Sequence, residues 1–347
     1  MKKLKHFGIM VNVPIILVFF VFADIISAQQ NNLSEDYNAC LPEIREYNRS
    51  LKTLPNISLT PDIVKVVRKM MEKQVKTVLQ PYQKEIDGPN GTIGLRIFKP
   101  DKVNAVYMYI HGGGNLWGTA ASDDSLNDNN ARACKMAVIS VEYHLAPEYP
   151  FPAQVEDCFS VARWLINNAA SEFGTDKIFI GGGSAGAHLS ALTAIYVRDS
   201  LKAIDKVLGV NLQYGIYDLG LTPSHRSATN TTPGLNKHIL NEIMKMVFGK
   251  FSMEQLQSAR FSPLYADLKN LPPAFFTIGT EDALLDDTYF MEARWRSAGN
   301  KTYLAVYPEC VHGFNTVPLK ISKIANTKIN GWMKQLISGK KAKRNKL

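Results

Sequence analysis

Cysteine is scarce and unpatterned in this chain. The four residues, Cys40, Cys134, Cys158 and Cys310, include no C-x-x-C pair, which argues against a thiolate zinc site and a dithiol redox motif. An even count permits two disulfides in an oxidising compartment, with three connectivities that the sequence leaves open. Cys134 and Cys158 equally suit the buried faces of two helices. Internal repeats, coiled-coil heptads and long low-complexity tracts are lacking, so solenoid and filament architectures drop out. No metal or cofactor is expected.

The charge is uneven rather than high throughout. The formal net charge is +9 over 347 residues. Residues 1–28 hold three lysines and one aspartate, and the tail GKKAKRNKL at 339–347 holds Lys340, Lys341, Lys343, Arg344 and Lys346, leaving about +2 for the body. No finger spacing or aromatic-basic alternation accompanies the tail, so nucleic acid is not an expected partner. A solvated end is expected there, with weak contact to anionic surfaces left open.

The apolar run FGIMVNVPIILVFFVFA at 7–23 follows Lys2, Lys3 and Lys5 and precedes a small-residue site at Ser27-Ala28. This pattern predicts a signal peptide cleaved near Ala28, and a secreted or periplasmic body. An uncleaved membrane anchor outside the cytoplasm is the alternative, weakened by Asn12, Pro14 and Asp24. If the host glycosylates secreted proteins, Asn32, Asn48, Asn56, Asn90, Asn230 and Asn300 lie in acceptor triplets.

A hydrophobic fraction of 46% over this length suffices for one sizeable core. The pattern predicts a helix over about 60–80, short strands around GTIGLRIFKP, and a buried strand at 104–110. Next come a helix near 123–135, a strand at 137–143, a helix at about 154–168 and a strand at 177–180. The helix AHLSALTAIYVRDS follows, with strands at 207–214, 274–280 and 302–308 and helices near 284–298 and 321–337. Apolar strands separated by helices at this spacing predict a mostly parallel sheet covered on both faces. Residues 216–262 break the rhythm, and an insertion there, together with the N-terminal helix, is expected to shape a lid. The expected divisions are a signal peptide at 1–28, an N-terminal cap region at 29–84, a catalytic body at 85–338 and a basic tail at 339–347.

The stretch IFIGGGSAGAH at 178–188 fits two patterns. Gly181, Gly183 and Gly186 match the G-x-G-x-x-G loop of a dinucleotide site, which wants the first strand of its domain and an acid ending the next strand. Two strands precede this loop, and neither Asp199 nor Asp205 ends a following strand, so the cofactor reading fits badly. Gly182, Ser184 and Gly186 match the G-x-S-x-G elbow, in which a strained serine is thrust above the sheet at a strand-to-helix turn.

An elbow serine needs a base, an acid and oxyanion donors, and each has a candidate in the right order. His312 follows the strand at 302–308. Asp282 is the first aspartate after the strand at 274–280, whereas Asp286 and Asp287 suit the start of the next helix. His188 sits too near Ser184 on the elbow helix to serve as the base. His111-Gly112-Gly113-Gly114 ends the strand at 104–110, so the N–H groups of Gly113, Gly114 and Ala185 are the oxyanion-hole candidates.

With these motifs in place, the sequence resembles the hormone-sensitive-lipase-like branch of the α/β-hydrolases, over roughly residues 85–335. The segments that carry the resemblance are HGGGNLWG at 111–118, VEYHLAPEYPFPAQVED at 141–157, GGGSAGAHLS at 181–190, GTEDALLDD at 279–287 and VHGF at 311–314. It implies an α/β-hydrolase fold with a helical cap. It also implies hydrolysis of carboxylic esters, often short- to medium-chain or lipid-like, by nucleophile Ser184, base His312 and acid Asp282, without cofactor or metal. Glu148 and Asp157 would brace the site rather than react. Gly183 stands where the family usually has aspartate, Ala187 where it has a second glycine, and Asn115 where an aromatic is frequent. An amidase or peptidase using the same three residues, and a non-catalytic esterase-like binding module, are the alternatives.

Overall fold

A computed structural model describes residues 35–51, 57–71 and 75–339. The expected leader at 1–28 with its processing site, acceptor residues Asn32 and Asn56, and tail residues 340–347 lie outside the described residues.

Eight strands form one sheet in the order β1-β2-β4-β3-β5-β6-β7-β8. They are β1 (Tyr82–Gly88), β2 (Gly91–Phe98), β3 (Ala105–Ile110), β4 (Met136–Glu142), β5 (Ile178–Gly183), β6 (Val207–Gln213), β7 (Ala274–Gly279) and β8 (Thr302–Tyr307). β2 pairs antiparallel with β1 and β4, and every pairing from β4 through β8 is parallel. This is the expected mostly parallel sheet.

The central strands are buried on both faces of the sheet, which is why they are largely apolar. In β3, Val106, Met108 and Ile110 join one core cluster while Ala105, Tyr107 and Tyr109 join the other. β4 divides in the same way, with Ala137, Ile139 and Val141 opposed to Met136 and Val138. The two-residue period of a strand thus feeds two cores from one segment. Helices α4 (Ala153–Phe173), α5 (Ala185–Asp199) and α9 (Leu285–Ser297) cover the first face. Helices α3 (Asp124–Cys134) and α10 (Lys320–Ser338) cover the second. Cys134 and Cys158 are buried at the expected helical positions.

Two expectations about the N-terminal region change. A helix α1 (Glu35–Ser50) precedes the expected first helix and contains Pro42. It packs Tyr37, Cys40 and Ile44 against Tyr307, Cys310 and Phe314. The helix expected over 60–80 is α2 (Pro61–Met71), and residues 75–81 are not helical. Their chain turns toward the body because the Asp128 carboxylate accepts the N–H groups of Val78 and Leu79 at 3.1 and 3.0 Å.

The excursion after β6 contains α6 (Pro223–Ser227), α7 (Lys237–Ile243), a π-helical turn at Met244–Phe248 and α8 (Met253–Leu256). It meets the N-terminal region directly. His238 Nε2 donates to the Ile57 carbonyl at 2.9 Å, and the Glu242 carboxylate accepts the Leu59 N–H.

The acceptor triplets differ in access. The amide nitrogens of Asn48, Asn90 and Asn300 donate to Glu309, Ala153 with Asp157, and Leu268 with Trp295 respectively. Asn230 is exposed on the excursion.

Candidate active site

The strand β5 ends in a turn that leaves room only for backbone. A Cβ on Gly182 would lie 2.0 Å from the Ile110 carbonyl oxygen, and one on Gly186 would lie 1.9 Å from the same atom. Both glycines are therefore set by close approach of β3 to the start of α5. Between them Ser184 adopts φ 57°, ψ −123°, a conformation that few L-residues tolerate. Its N–H donates to the Gln213 carbonyl at 2.9 Å, which ties the strained residue to β6. The turn thus lifts the hydroxyl off the sheet, as the elbow pattern predicts.

Three loops bring the expected side chains together. Ser184 Oγ lies 2.8 Å from His312 Nε2, and His312 Nδ1 lies 2.9 and 3.1 Å from the two carboxylate oxygens of Asp282. With the ring proton on Nδ1 donated to Asp282, Nε2 is free to accept from the serine hydroxyl. Asp282 is buried, and its Oδ1 also accepts the Leu284 N–H at 2.9 Å, which fixes the carboxylate in its loop. The ring of Tyr214 stands edge-on to His312, with centroids 4.9 Å apart. This constellation can transfer a proton from a hydroxyl nucleophile to an imidazole held in one tautomer.

The N–H groups of Gly113, Gly114 and Ala185 form no backbone hydrogen bond among the described residues, and all three residues line the same cavity as Ser184. Gly113 holds φ 110°, and a Cβ there would meet the Trp117 carbonyl oxygen at 2.0 Å. The turn is locked from behind by His111, whose Nδ1 donates to the Gly112 carbonyl at 2.7 Å while its ring stacks on Tyr143 at 4.2 Å. Burial lowers the His111 pKa to about 4, against the opposing pull of the Gly112 hydrogen bond. Gly112 lies under the elbow, its Cβ position 3.0 Å from the Gly183 carbonyl.

The other residues singled out in the sequence fall outside the reacting group. His188 is buried, faces the Phe261 carbonyl at 2.6 Å, and has its pKa lowered by burial to about 4. Asp286 accepts from Ser224 N–H at 2.7 Å. Asp287 accepts from the N–H groups of Tyr217 and Asp218 and from the Thr222 hydroxyl, so it latches α9 to the excursion after β6. Asp157 accepts from His144 and Asn90, and Glu148 pairs with Arg68.

Sequence reasoning missed Arg68. From α2 it donates through Nε to the Leu116 carbonyl at 2.7 Å and through Nη2 to the Ala146 carbonyl at 2.6 Å. Its signal in the sequence, one basic residue in an amphipathic helix, does not differ from that of a solvated lysine. Tyr214 was equally hidden, since nothing local distinguishes it from a core tyrosine.

The cavity over Ser184 holds about 600 Å³. Met70 and Met71 of α2 and Leu240, Ile243, Met244 and Phe248 of the excursion line it, so the two segments expected to form a lid do border the nucleophile. Among the described residues no group of three or more metal-ligating side chains occurs.

Residues 107–316 match the family described as the alpha/beta hydrolase fold. The chain belongs to this family. Within it, the chain sits in the hormone-sensitive-lipase-like branch of carboxylesterase-type serine hydrolases. It is 30% identical over 294 residues to the carboxylesterase NlhH of Mycobacterium tuberculosis, covering 79% of this chain and 89% of that one. It is 28% identical over 273 residues to the versiconal hemiacetal acetate esterase of Dothistroma septosporum, covering 75% of this chain and 83% of that one. A crystal structure of an esterase from Pyrobaculum calidifontis superposes with a TM-score of 0.74 at 28% identity, covering 81% of this chain and 95% of that one.

Proposed function

We propose that this protein hydrolyses carboxylic esters through an acyl-enzyme formed on Ser184. The contact that carries this reading is the 2.8 Å approach of Ser184 Oγ to His312 Nε2, with Asp282 on the far side of the ring. His312 takes the hydroxyl proton as Oγ attacks the ester carbonyl, and Asp282 stabilises the imidazolium that forms. The N–H groups of Gly113, Gly114 and Ala185 receive the developing oxyanion. His312 then gives the proton to the leaving alcohol as the carbon–oxygen bond breaks. Water, deprotonated by the same imidazole, attacks the acyl-enzyme and releases the acid and the free serine.

The preferred acyl groups are short to medium in length. A cavity of about 600 Å³ lined by methionine, isoleucine and leucine accommodates such chains. Two similar proteins carry names that specify acetyl groups, the Dothistroma enzyme and an acetyl esterase from Salmonella. On the strength of residues 1–28 we further assign the enzyme to a site outside the cytoplasm. Fractionation of expressing cells checks this, and a cytoplasmic, full-length product refutes it.

The decisive experiment compares wild type with Ser184→Ala on p-nitrophenyl butyrate. Turnover should vanish while the circular dichroism spectrum and melting temperature are retained. Residual turnover near the wild-type rate would overturn the assignment.

A further inference from the structure

The lining of the Ser184 cavity contains two chemistries. Most of it is apolar, but Asp123 lies on it beside Tyr109 and Tyr214. Asp123 occupies the residue before α3, where an aspartate ordinarily accepts an N–H of the first turn, yet its side chain makes no such bond. Instead Tyr109 Oη donates to its Oδ2 at 2.8 Å, and no other hydrogen bond to the carboxylate occurs among the described residues. The neighbouring cation is committed elsewhere, because Arg96 grips Asp124 through two bonds of 2.8 and 2.7 Å. Among the described residues no lysine, arginine or histidine forms an ion pair with Asp123. Burial pushes the Asp123 carboxyl above its usual range, against the lowering effect of the Tyr109 bond and with the help of Asp124. Among the described residues this carboxylate, which borders the cavity over Ser184, neither caps its helix nor meets a counter-ion.

We propose that Asp123 is a substrate subsite for a cationic nitrogen, so that the preferred ester carries an ammonium group on its acyl or alcohol side. The proposal rests on the reading of Ser184 as the nucleophile of an ester hydrolase. A desolvated carboxylate gains a charge-assisted contact from a cation and much less from a neutral hydroxyl. The rings of Tyr109 and Tyr214 add aromatic surface that favours the same ligand. Tyr109 remains a donor to the carboxylate, since burial holds its own hydroxyl well above the ordinary tyrosine range.

Matched ester pairs test this on the full-length protein. Choline butyrate is compared with the isostere in which a quaternary carbon replaces the nitrogen. The ethyl ester of trimethylammonio-butyrate is compared in the same way with its tert-butyl analogue. In wild type, at least one cationic ester should exceed its isostere in kcat/KM by about tenfold to a hundredfold, the range of a charge-assisted bond. In Asp123→Asn that ratio should fall toward one, and in Tyr109→Phe, which keeps the carboxylate, it should persist. Because each ratio is internal to one protein sample, partial loss of folded enzyme does not disturb it. A wild-type ratio near one for both pairs, or a ratio that Asp123→Asn leaves unchanged, overturns the subsite. If p-nitrophenyl butyrate is instead hydrolysed equally by wild type and Ser184→Ala, the hydrolase reading fails and the subsite falls with it.

Discussion

Arg68 of α2 donates to the carbonyl oxygen of Leu116 at 2.7 Å, linking that helix to the turn that carries Gly113 and Gly114. Leu116 and Trp117 in turn donate their N–H groups to the Gly113 carbonyl at 3.0 and 3.1 Å. The guanidinium also holds Ala146 and Glu148, so one side chain joins three segments around the site. Arg68→Ala removes charge-assisted bonds worth about 1–3 kcal/mol and frees the turn. The expected result is a fall of about tenfold in kcat/KM on p-nitrophenyl butyrate with a lower melting temperature. If both values match wild type, Arg68 is a surface ion pair and not a strap.

Replacement of the acid separates its role from that of its neighbours. Asp282→Asn preserves shape but removes the charge that fixes His312 with its proton on Nδ1. Activity should drop by about three to four orders of magnitude. Asp287→Asn, in the first turn of α9, touches Tyr217, Asp218 and Thr222 instead and should spare most of it. Kinetics on the purified variants decide the matter, and an unaffected Asp282→Asn would move the acid elsewhere.

The parts legible from sequence are those that rest on local rules. Strands β3 to β7 were readable because strands buried in a parallel sheet are mostly apolar. The elbow was readable because a Cβ on Gly186 would lie 1.9 Å from the Ile110 carbonyl oxygen, which leaves room for glycine alone. What was hidden depends on distant partners. Helix α1 carries Pro42 and a polar surface, and its reason to form is the cluster around Tyr307 and Phe314, more than 250 residues away. The expected helix over 60–80 ends early because Asp128, from α3, offers the Val78 and Leu79 N–H groups a better partner than a further helical turn. Asp123 precedes α3, and only the path of Tyr109 from β3 shows where its carboxylate is held.

The glycines divide into those that make room and those that do not. Gly186→Ala would drive a methyl group into the Ile110 and His111 carbonyls at 1.9 and 2.7 Å. Backbone must shift, at a cost of about 3 kcal/mol or more, and both the melting temperature and the esterase rate should collapse. Gly331, in the middle of α10, has nothing within 4 Å of its Cβ position. Gly331→Ala should therefore stabilise the protein by about 0.5–1 kcal/mol and leave the rate alone. Thermal melts of the two variants test the distinction, and equal effects would contradict the crowding at the elbow.

Asp287 supplies a pH prediction whose sign follows from its surroundings. Burial raises its carboxyl from 3.8 to about 7, although the Thr222 hydroxyl and the Tyr217 and Asp218 N–H groups all favour the charged form. Between these two values the folded protein keeps a proton that the unfolded chain releases, so the contribution to stability is complete below about pH 4 and is lost as pH rises through about 7. Asp287→Asn keeps an acceptor for the two N–H groups but cannot ionise. Relative to this variant, wild type should therefore lose stability progressively from about pH 4 to above pH 7. Denaturant melts of both proteins across that range give the difference curve directly. A flat difference, or one that favours wild type as pH rises, would mean that the three hydrogen bonds outweigh desolvation and hold Asp287 charged.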